Sequence, residues 1–300
     1  MNFCDICGKD IEKGATHHER CLRRMFGLRH MPKIDLAPHE VSIKAQEMAG
    51  KMSISGVQAK LSVKLNKRQK KLKVVAKGGE YILKPQIETF PDIPQNENMC
   101  MSIASEMGIH VPYHSLIFLK DGTSAYIVKR FDREKETKYH QEDFFQILGE
   151  EDKYSGSLEK IGHRLKEISD VPGLDAQFFF ERVLFFFIIG NGDAHLKNFS
   201  ILYDKEGRIR LSPAYDILSS KLVIPNEEDL ALSMNGKKNK IRKKDFDALA
   251  KNLNIRSDIC YGNILKRVKS INNGVENSRL NNFQKKRLLD IVKERISRLG

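Results

Sequence analysis

The alternation of apolar and polar residues changes part-way along the chain. Between residues 52 and 130 the apolar positions recur in short runs with strand-like spacing, at 59–65, 72–75, 80–84, 115–119 and 125–129. One stretch, 96–107, has helical spacing instead and is followed by Gly108, a residue favoured just past a helix end. The pattern predicts an antiparallel sheet with one helix packed on it.

Beyond Asp132 the apolar spacing is mainly helical up to Gly300, interrupted by one hairpin. The longest apolar stretch, 178–190, contains two charged residues and is shorter than the ~20 residues that cross a bilayer, so we predict a buried helix. The two regions together predict an α+β, bilobal fold with a small strand-rich lobe and a large helical lobe. The expected domains are residues 1–30, 45–132 and 133–300.

Composition supports a globular protein, since 40% of the residues are hydrophobic and 30% are charged. The N-terminus lacks the basic and apolar segments of a secretory signal, so we expect a cytoplasmic protein with reduced cysteines and no membrane association. A net charge of +13 favours anionic partners without identifying one.

The most informative segment is Gly-Asn-Gly-Asp-Ala-His-Leu-Lys-Asn-Phe at 190–199, which directly follows the apolar helix. A strand-turn-strand pattern comes next and ends at Tyr215-Asp216. Protein kinases place a catalytic Asp, an Asn five residues later, a hairpin and a metal-binding Asp in this order. The spacing therefore predicts a kinase centre built on Asp193, Asn198 and Asp216.

Each residue of this centre has an expected role in phosphoryl transfer. Asp193 would orient the acceptor hydroxyl, whereas Asn198 and Asp216 would hold Mg²⁺ through hard oxygen ligands. Lys197 could contact the γ-phosphate. His195 is a further candidate for contact with the bound nucleotide.

A lysine at the end of the strand 80–84 supports ATP binding, because kinases bind the α- and β-phosphates with such a lysine. Lys84 is the candidate, and Glu97 in the following helix could pair with it. Lys129 and Phe131, between the expected lobes, would meet the adenine through backbone groups and the ring. No G-x-G-x-x-G loop precedes Lys84, so the chain differs from eukaryotic-type kinases.

These motifs together make the chain similar to the HipA family of bacterial toxin kinases. The matching segments lie at 53–60, 82–84, 96–97, 129–133, 140–143, 193–199 and 211–216. The resemblance implies a bilobal kinase fold and a Ser/Thr kinase that phosphorylates an aminoacyl-tRNA synthetase and so stops growth.

The resemblance also implies antitoxin partners, one of them a HipB-like DNA-binding repressor. The chain lacks the subdomain of about a hundred residues that precedes the Ser-containing loop in full-length HipA. In this it resembles HipT, the short toxin of three-component systems, which implies a small HipS-like protein as a second partner. DNA would be reached only through the antitoxin.

The Ser-Ile-Ser-Gly run at 53–56 occupies the place where a kinase has its phosphate-covering loop. Phosphate on a serine in such a loop would compete with ATP phosphates for the same N–H groups. The resemblance implies inhibitory autophosphorylation at Ser53, with Ser55 as the second candidate. The alternative is that both serines only stabilise a turn.

The N-terminal Cys-x-x-Cys and His-x-x-Cys spacings could provide four zinc ligands. The predicted ligands are Cys4, Cys7, His18 and Cys21. His17 is the rival to His18, and free thiols beside exposed histidines are the alternative.

Two other function classes stay open on the sequence alone. A kinase fold does not fix its substrate, so an inactive or lipid-directed kinase is one alternative. The charge and the cysteine-rich start suggest a nucleic-acid-binding regulator as the other, although no helix-turn-helix supports it.

Overall fold

The computed structural model of the chain describes residues 2–12, 14–37, 40, 59–134 and 137–300. Its contacts define two compact units. Unit 1 comprises Met1–Ser102, Pro112–Phe131 and Asn277–Leu280, and unit 2 comprises Ile103–Val111, Asp132–Glu276 and Asn281–Gly300. The division after Phe131 coincides with the change from strand-like to helical apolar spacing.

The N-terminal segment of unit 1 is a small hairpin followed by a helix. Strands β1 (Asn2–Phe3) and β2 (Asp10–Ile11) pair antiparallel, and α1 spans Glu19–Phe26. The helix ends at Gly27, whose φ of 68° is a left-handed conformation that glycine adopts readily.

A six-stranded sheet forms the centre of unit 1. Its strands are β3 (Lys33–Ile34), β4 (Leu61–Asn66), β5 (Lys71–Val74), β6 (Tyr81–Pro85), β7 (His114–Phe118) and β8 (Ser124–Lys129). They lie in the order β3-β5-β4-β6-β8-β7, antiparallel except for the parallel pair of β3 and β5. Helix α2 (Ile93–Glu106) connects β6 to β7 along the chain. The strands and helix predicted for this region are confirmed, with ends shifted by a few residues.

The N-terminal segment and the sheet share one hydrophobic core. Leu61, Val63 and Leu65 alternate along β4 with more exposed residues and are buried in it together with the end of α1. The rings of Phe26 and Tyr81 lie 5.3 Å apart, and the Tyr81 hydroxyl donates to the carbonyl of the residue before Phe26 at 2.9 Å. The first residues of the chain therefore fold as part of unit 1 instead of having a core of their own.

Unit 2 is mainly helical. Its helices are α3 (Phe144–Leu148), α4 (Leu158–Ile168), α5 (Pro172–Ile189), α6 (Lys243–Asn252), α7 (Ser257–Leu265), α8 (Val268–Glu276) and α9 (Asn282–Ser297). The predicted apolar helix is α5, and nearly all of its residues from Phe179 onward are buried. The two charged residues within the predicted apolar stretch form hydrogen bonds, since Arg182 donates to the Ser212 carbonyl at 2.6 Å and Glu181 accepts from Asn263 at 2.7 Å. No helix in the described part of the chain has both the length and the apolar character needed to span a membrane.

Five short strands accompany these helices. They are β9 (Arg133–Glu134), β10 (Thr137–Lys138), β11 (Gln141–Asp143), β12 (Ser200–Tyr203) and β13 (Ile209–Leu211). β9 pairs with β10, while β11, β12 and β13 form an antiparallel sheet with β12 in the centre. The hairpin of β12 and β13 is the one predicted from the sequence, and it directly follows the segment 190–199.

Candidate active site

The loop after α5 carries Asp193. The helix ends at Gly190 with a φ of 70°, and the N–H of Asn191 bonds to the Phe186 carbonyl at 2.9 Å. The loop then forms a single 3₁₀ turn at Leu196–Asn198. Asp193 is exposed, so the loop presents this carboxylate to solvent from a backbone fixed to the end of a buried helix.

Gly192 is held by a relay of two hydrogen bonds. Its N–H donates to the Ser220 hydroxyl at 2.8 Å, and that hydroxyl donates to the Glu227 carboxylate at 2.5 Å. A Cβ at position 192 would lie 2.5 Å from both a Glu227 carboxylate oxygen and the Glu228 carbonyl oxygen. Only glycine therefore fits immediately before Asp193.

Asn198 closes the loop from its other end. Its Oδ1 accepts the N–H of His195 at 2.9 Å. An amide oxygen has a second lone pair and can still bind a cation. The side chain is buried and hence fixed in place.

The hairpin returns the chain to this loop. Ile201 pairs with Leu211, and the Tyr215 hydroxyl then donates to the Lys197 carbonyl at 2.9 Å. Asp216 follows with a φ of 55°, a left-handed conformation uncommon outside glycine and frequent at functional sites. The neighbours of Asn198 and Asp216 are thus joined directly, and an amide oxygen with a carboxylate suits Mg²⁺.

Two side chains near Asp193 have shifted acidity. Burial, with the nearby Lys153 cation, lowers the pKa of His195 to about 4, so this ring is uncharged at neutral pH. Burial raises the pKa of Glu227 to about 7, opposed by the Ser220 hydrogen bond and reinforced by the charge of Asp193.

Sequence reasoning missed three residues of this neighbourhood, namely Tyr154, Ser220 and Glu227. The Tyr154 hydroxyl donates to the Asp193 carboxylate at 2.8 Å, and the other two form the relay to Gly192. They come from segments on either side of the loop in sequence and share no spacing motif with it. Their position follows only from the tertiary structure.

Unit 1 contains the predicted lysine. Lys84 lies on β6, and its Nζ donates to the Glu97 carboxylate on α2 at 2.6 Å. The two side chains are only 3% and 1% exposed. The Nζ also lies 5.5 Å from the centre of the Tyr126 ring. The predicted pairing of Lys84 with Glu97 is confirmed.

The remaining candidates for contacts with the nucleotide lie in both units. Lys129 ends β8, where its N–H donates to the Tyr113 carbonyl at 2.8 Å, and Phe131 follows two residues later. Lys197 lies with its Nζ 4.4 Å from the centre of the Phe145 ring. The two serines predicted to be phosphorylated, Ser53 and Ser55, lie outside the described residues.

The four predicted zinc ligands are brought together in the N-terminal segment. The sulfurs of Cys4, Cys7 and Cys21 and a ring nitrogen of His18 all lie within 4.8 Å of one another. Ligands around a tetrahedral zinc with bonds of ~2.3 Å are about 3.8 Å apart, so the donor set fits this ion.

The structure also distinguishes His18 from its neighbour His17 as the candidate zinc ligand. The Nδ1 of His18 lies 3.3 Å from the Cys7 sulfur, while its Nε2 donates to the Asp10 carbonyl at 3.0 Å. Because a carbonyl only accepts, the hydrogen is on Nε2 and Nδ1 faces the sulfurs, an arrangement typical of metal-bound histidine. His17 instead bonds the Ser115 hydroxyl at 2.9 Å.

Comparison with known protein families gives one match over most of the chain. Residues 52–277 match the family described as the HipA-like C-terminal domain. The chain belongs to the HipA-like family. The HipA-like region contains Lys84, Asp193, Asn198 and Asp216, whereas the Cys/His cluster precedes it.

Relatives of this HipA-like chain include proteins named as candidate kinases. One from Haemophilus influenzae is 31% identical over 238 residues, covering 73% of this chain and 68% of the relative. The candidate kinase Y4dM of Sinorhizobium fredii is 35% identical over 243 residues, covering 74% of this chain and 57% of the relative. The chain thus spans little more than half the length of the second relative.

Solved structures share the fold. The HipA of Shewanella oneidensis, in a complex with HipB and operator DNA, gives a TM-score of 0.67 at 20% identity, covering 82% of this chain and 64% of that one. The Helicobacter pylori proinflammatory kinase CtkA gives 0.55 at 18% identity, covering 73% and 87%. The predicted α+β, kinase-like fold is confirmed.

Proposed function

We propose that this chain is an ATP- and Mg²⁺-dependent protein kinase that phosphorylates serine or threonine. The observation that carries the proposal is the order and joining of three residues in unit 2. Asp193 is exposed on the loop, Asn198 closes that loop, and Asp216 is returned to it by the bond between Tyr215 and Lys197.

In this proposal Asp193 accepts a hydrogen bond from the acceptor hydroxyl and orients its oxygen toward the γ-phosphorus. A bond forms between the acceptor oxygen and the γ-phosphorus, and the bond from this phosphorus to the leaving ADP oxygen breaks. The hydroxyl proton passes to Asp193. Asn198 and Asp216 hold Mg²⁺, which neutralises charge on the phosphates.

The other candidates would position the nucleotide. Lys84, oriented by Glu97, contacts the α- and β-phosphates, and Lys197 contacts the γ-phosphate. Lys129, Phe131 and His195 contact the remainder of the nucleotide. The short distance from Lys84 to Glu97 supports the first of these assignments.

The resemblance to HipA supports a biological role as the toxin of a bacterial toxin-antitoxin system. The substrate would be an aminoacyl-tRNA synthetase in the cytoplasm. The partners would be a HipB-like DNA-binding repressor and, for a HipT-type toxin, a small HipS-like protein. The similarity to the Shewanella HipA, which was solved together with HipB and operator DNA, supports a repressor partner.

A transfer assay tests the kinase proposal. The purified chain is incubated with γ-labelled ATP, Mg²⁺ and a bacterial protein extract, and labelled proteins are identified by mass spectrometry. Asp193→Asn and Asp216→Asn should each reduce labelling at least ~100-fold. Asp290→Asn, which changes an exposed aspartate on α9, is the matched control. Full labelling by both site variants would contradict the proposal.

Autophosphorylation at Ser53 or Ser55 is part of the same proposal. The support is the position of the two serines at the start of the HipA-like match. Phosphate should be found by mass spectrometry on wild-type protein and not on Asp193→Asn produced in the same way. Its absence from both after incubation with ATP and Mg²⁺ would leave the serines with a structural role.

The Cys/His cluster is proposed to bind one structural Zn²⁺ through Cys4, Cys7, His18 and Cys21. Elemental analysis should find about one zinc per chain, and His18→Asn should lose it. His17→Asn is the matched control, because His17 bonds Ser115 and not the sulfurs. Equal zinc content in the two histidine variants would reject this ligand set.

A further inference from the structure

One contact of Asp193 is not used by the proposed reaction. Tyr154, in the segment between α3 and α4, donates its hydroxyl to the Asp193 carboxylate at 2.8 Å. An ionised carboxylate only accepts, so the phenol is the donor. Burial, followed by this hydrogen bond, raises the pKa of Tyr154 and keeps its hydrogen in place.

The segment that carries Tyr154 is fixed to the same loop. The N–H of Leu196 donates to the Lys153 carbonyl at 3.1 Å, and the N–H of Tyr154 donates to the Asp152 carboxylate at 3.1 Å. The Tyr154 ring meets the His195 ring edge-on, with centres 5.4 Å apart and planes at 78°. The backbone hydrogen bonds of this segment and the contact of the ring with His195 together orient the Tyr154 hydroxyl toward Asp193.

An acceptor hydroxyl would have to make the same kind of bond that Tyr154 makes. In the proposed reaction the acceptor hydroxyl donates a hydrogen bond to Asp193, and in the structure the Tyr154 hydroxyl donates such a bond. We propose that the Tyr154 hydroxyl occupies the acceptor position at Asp193, so that Tyr154 is a specificity-determining residue that an incoming protein hydroxyl must displace. This inference rests on the proposed kinase function.

The contact would discriminate against water as acceptor. Water gains nothing by exchanging one hydroxyl-carboxylate bond for another, whereas a protein acceptor brings binding energy from its other contacts. Without the phenol, water can donate to Asp193, its oxygen can bond to the γ-phosphorus, and ADP can leave. The water proton would pass to Asp193 and then to solvent, and the product would be inorganic phosphate.

The test compares ATP hydrolysis without a protein acceptor in wild-type protein and Tyr154→Phe. This change removes one oxygen and keeps the ring against His195. We expect kcat for hydrolysis to rise about 3- to 10-fold, the range set by the loss of one hydrogen bond, with KM for ATP unchanged. With dephosphorylated casein as acceptor, the ratio of released to transferred phosphate should rise as well.

Two comparisons separate displacement from a structural effect. Tyr203→Phe removes a similar bond, since the Tyr203 hydroxyl donates to the Glu142 carboxylate at 2.8 Å, and should leave hydrolysis unchanged. In an Asp193→Asn background, Tyr154→Phe should have no further effect on hydrolysis, because the carboxylate that would orient the water is already absent.

The outcomes distinguish the two proposals. If wild-type protein transfers phosphate but Tyr154→Phe hydrolyses ATP no faster, or more slowly, this inference is wrong and the kinase assignment stands. If wild-type protein neither transfers phosphate nor hydrolyses ATP, both are wrong. Faster hydrolysis by Tyr203→Phe as well would also overturn the role of Tyr154.

Discussion

The Lys84–Glu97 pair of unit 1 and Asp193 of unit 2 are two charged features of very different construction. The pair joins a strand and a helix and is almost completely buried, with the Lys84 Nζ 2.6 Å from a Glu97 carboxylate oxygen. Asp193 is exposed on a loop and is held through hydrogen bonds of its neighbours. The buried pair is tolerated because its two charges neutralise each other. The exposed carboxylate needs no partner for its charge and is instead positioned by the loop that carries it.

This difference predicts separate consequences for mutation. A buried charge that loses its partner is costly, because its desolvation is no longer compensated. An exposed carboxylate is hydrated in both the folded and the unfolded protein, so removing its charge costs little stability. Changes to the pair should therefore act on folding, and changes around Asp193 should act mainly on chemistry.

The largest effect is expected for Lys84→Met. Glu97 would stay buried without its cation, and the free energy of unfolding should fall by about 3–5 kcal/mol. Urea denaturation followed by circular dichroism measures this change.

Two further variants sharpen that result. Lys71→Met breaks a pair with Asp35 that has the same 2.6 Å distance but is 42% and 62% exposed, and should change the free energy of unfolding far less, because water solvates both charges. Lys84→Met combined with Glu97→Leu should recover most of the lost stability. Equal losses for Lys84→Met and Lys71→Met would remove the distinction between buried and exposed pairs.

Gly192→Ala should have the next largest effect. The added Cβ would meet the Glu228 carbonyl, a backbone atom that cannot rotate away, and overpacking of this kind costs about 1–3 kcal/mol. Phosphate transfer should fall too, because the shifted peptide carries Asp193. Thermal unfolding and the transfer assay measure both.

Gly173→Ala is the control for that variant. Gly173 lies in α5, and apart from its chain neighbours and the backbone of its own helix no atom comes within 4 Å of a Cβ added there. Alanine should be neutral or stabilising at this helical position. A loss of stability at Gly192 no greater than at Gly173 would show that the loop adapts to the methyl group.

A smaller, pH-dependent effect is expected for Glu227→Gln. The folded-state pKa of about 7 lies above the ordinary 4.5, because burial and Asp193 outweigh Ser220 and Lys221. The stabilising contribution of protonated Glu227 is present below the unfolded-state pKa and is lost as the pH rises through 7. Glutamine stays neutral, so its stability relative to wild type should rise by about 1–2 kcal/mol from pH 5 to pH 8.

The neighbouring Glu228 offers a control for this pH profile. Its side chain is exposed and accepts a hydrogen bond from Asn239 at 3.1 Å. Glu228→Gln, measured at the same pH values, shows how much of any pH dependence comes from losing an exposed carboxylate in this segment. A pH dependence for Glu227→Gln no larger than that of Glu228→Gln would contradict the raised pKa of Glu227.

The sequence predicted the elements whose burial is periodic. Leu61, Val63 and Leu65 repeat every second residue because one face of β4 is buried, and α5 is apolar because it is enclosed on nearly all sides. The pairing of Lys84 with Glu97 also followed, since the kinase pattern places a lysine strand before a helix with an acid.

Residues fixed by tertiary contacts could not be predicted. The His18-x-x-Cys21 spacing favoured His18 over His17, but the hydrogen bond that holds His17 to Ser115 of a distant strand follows only from the tertiary structure. Tyr154 and Glu227 reach the catalytic loop from segments with no motif. The segment before residue 30 shares the core of the sheet because of contacts such as Phe26 with Tyr81, which no local pattern reveals.

The smallest effect on stability is expected at Asp193 itself. Asp193→Asn keeps an oxygen that can accept the Tyr154 hydroxyl and removes a negative charge near Glu227. The free energy of unfolding should stay within about 0.5 kcal/mol of wild type while phosphate transfer is lost. Asp175→Asn is the contrast within unit 2, because Asp175 is 1% exposed and accepts hydrogen bonds from Arg210 and from the N–H of Leu211. That variant should lose about 2 kcal/mol or more. A comparable loss at Asp193 would mean that this carboxylate holds the loop together, and the contrast between a buried structural charge and an exposed chemical one would fail.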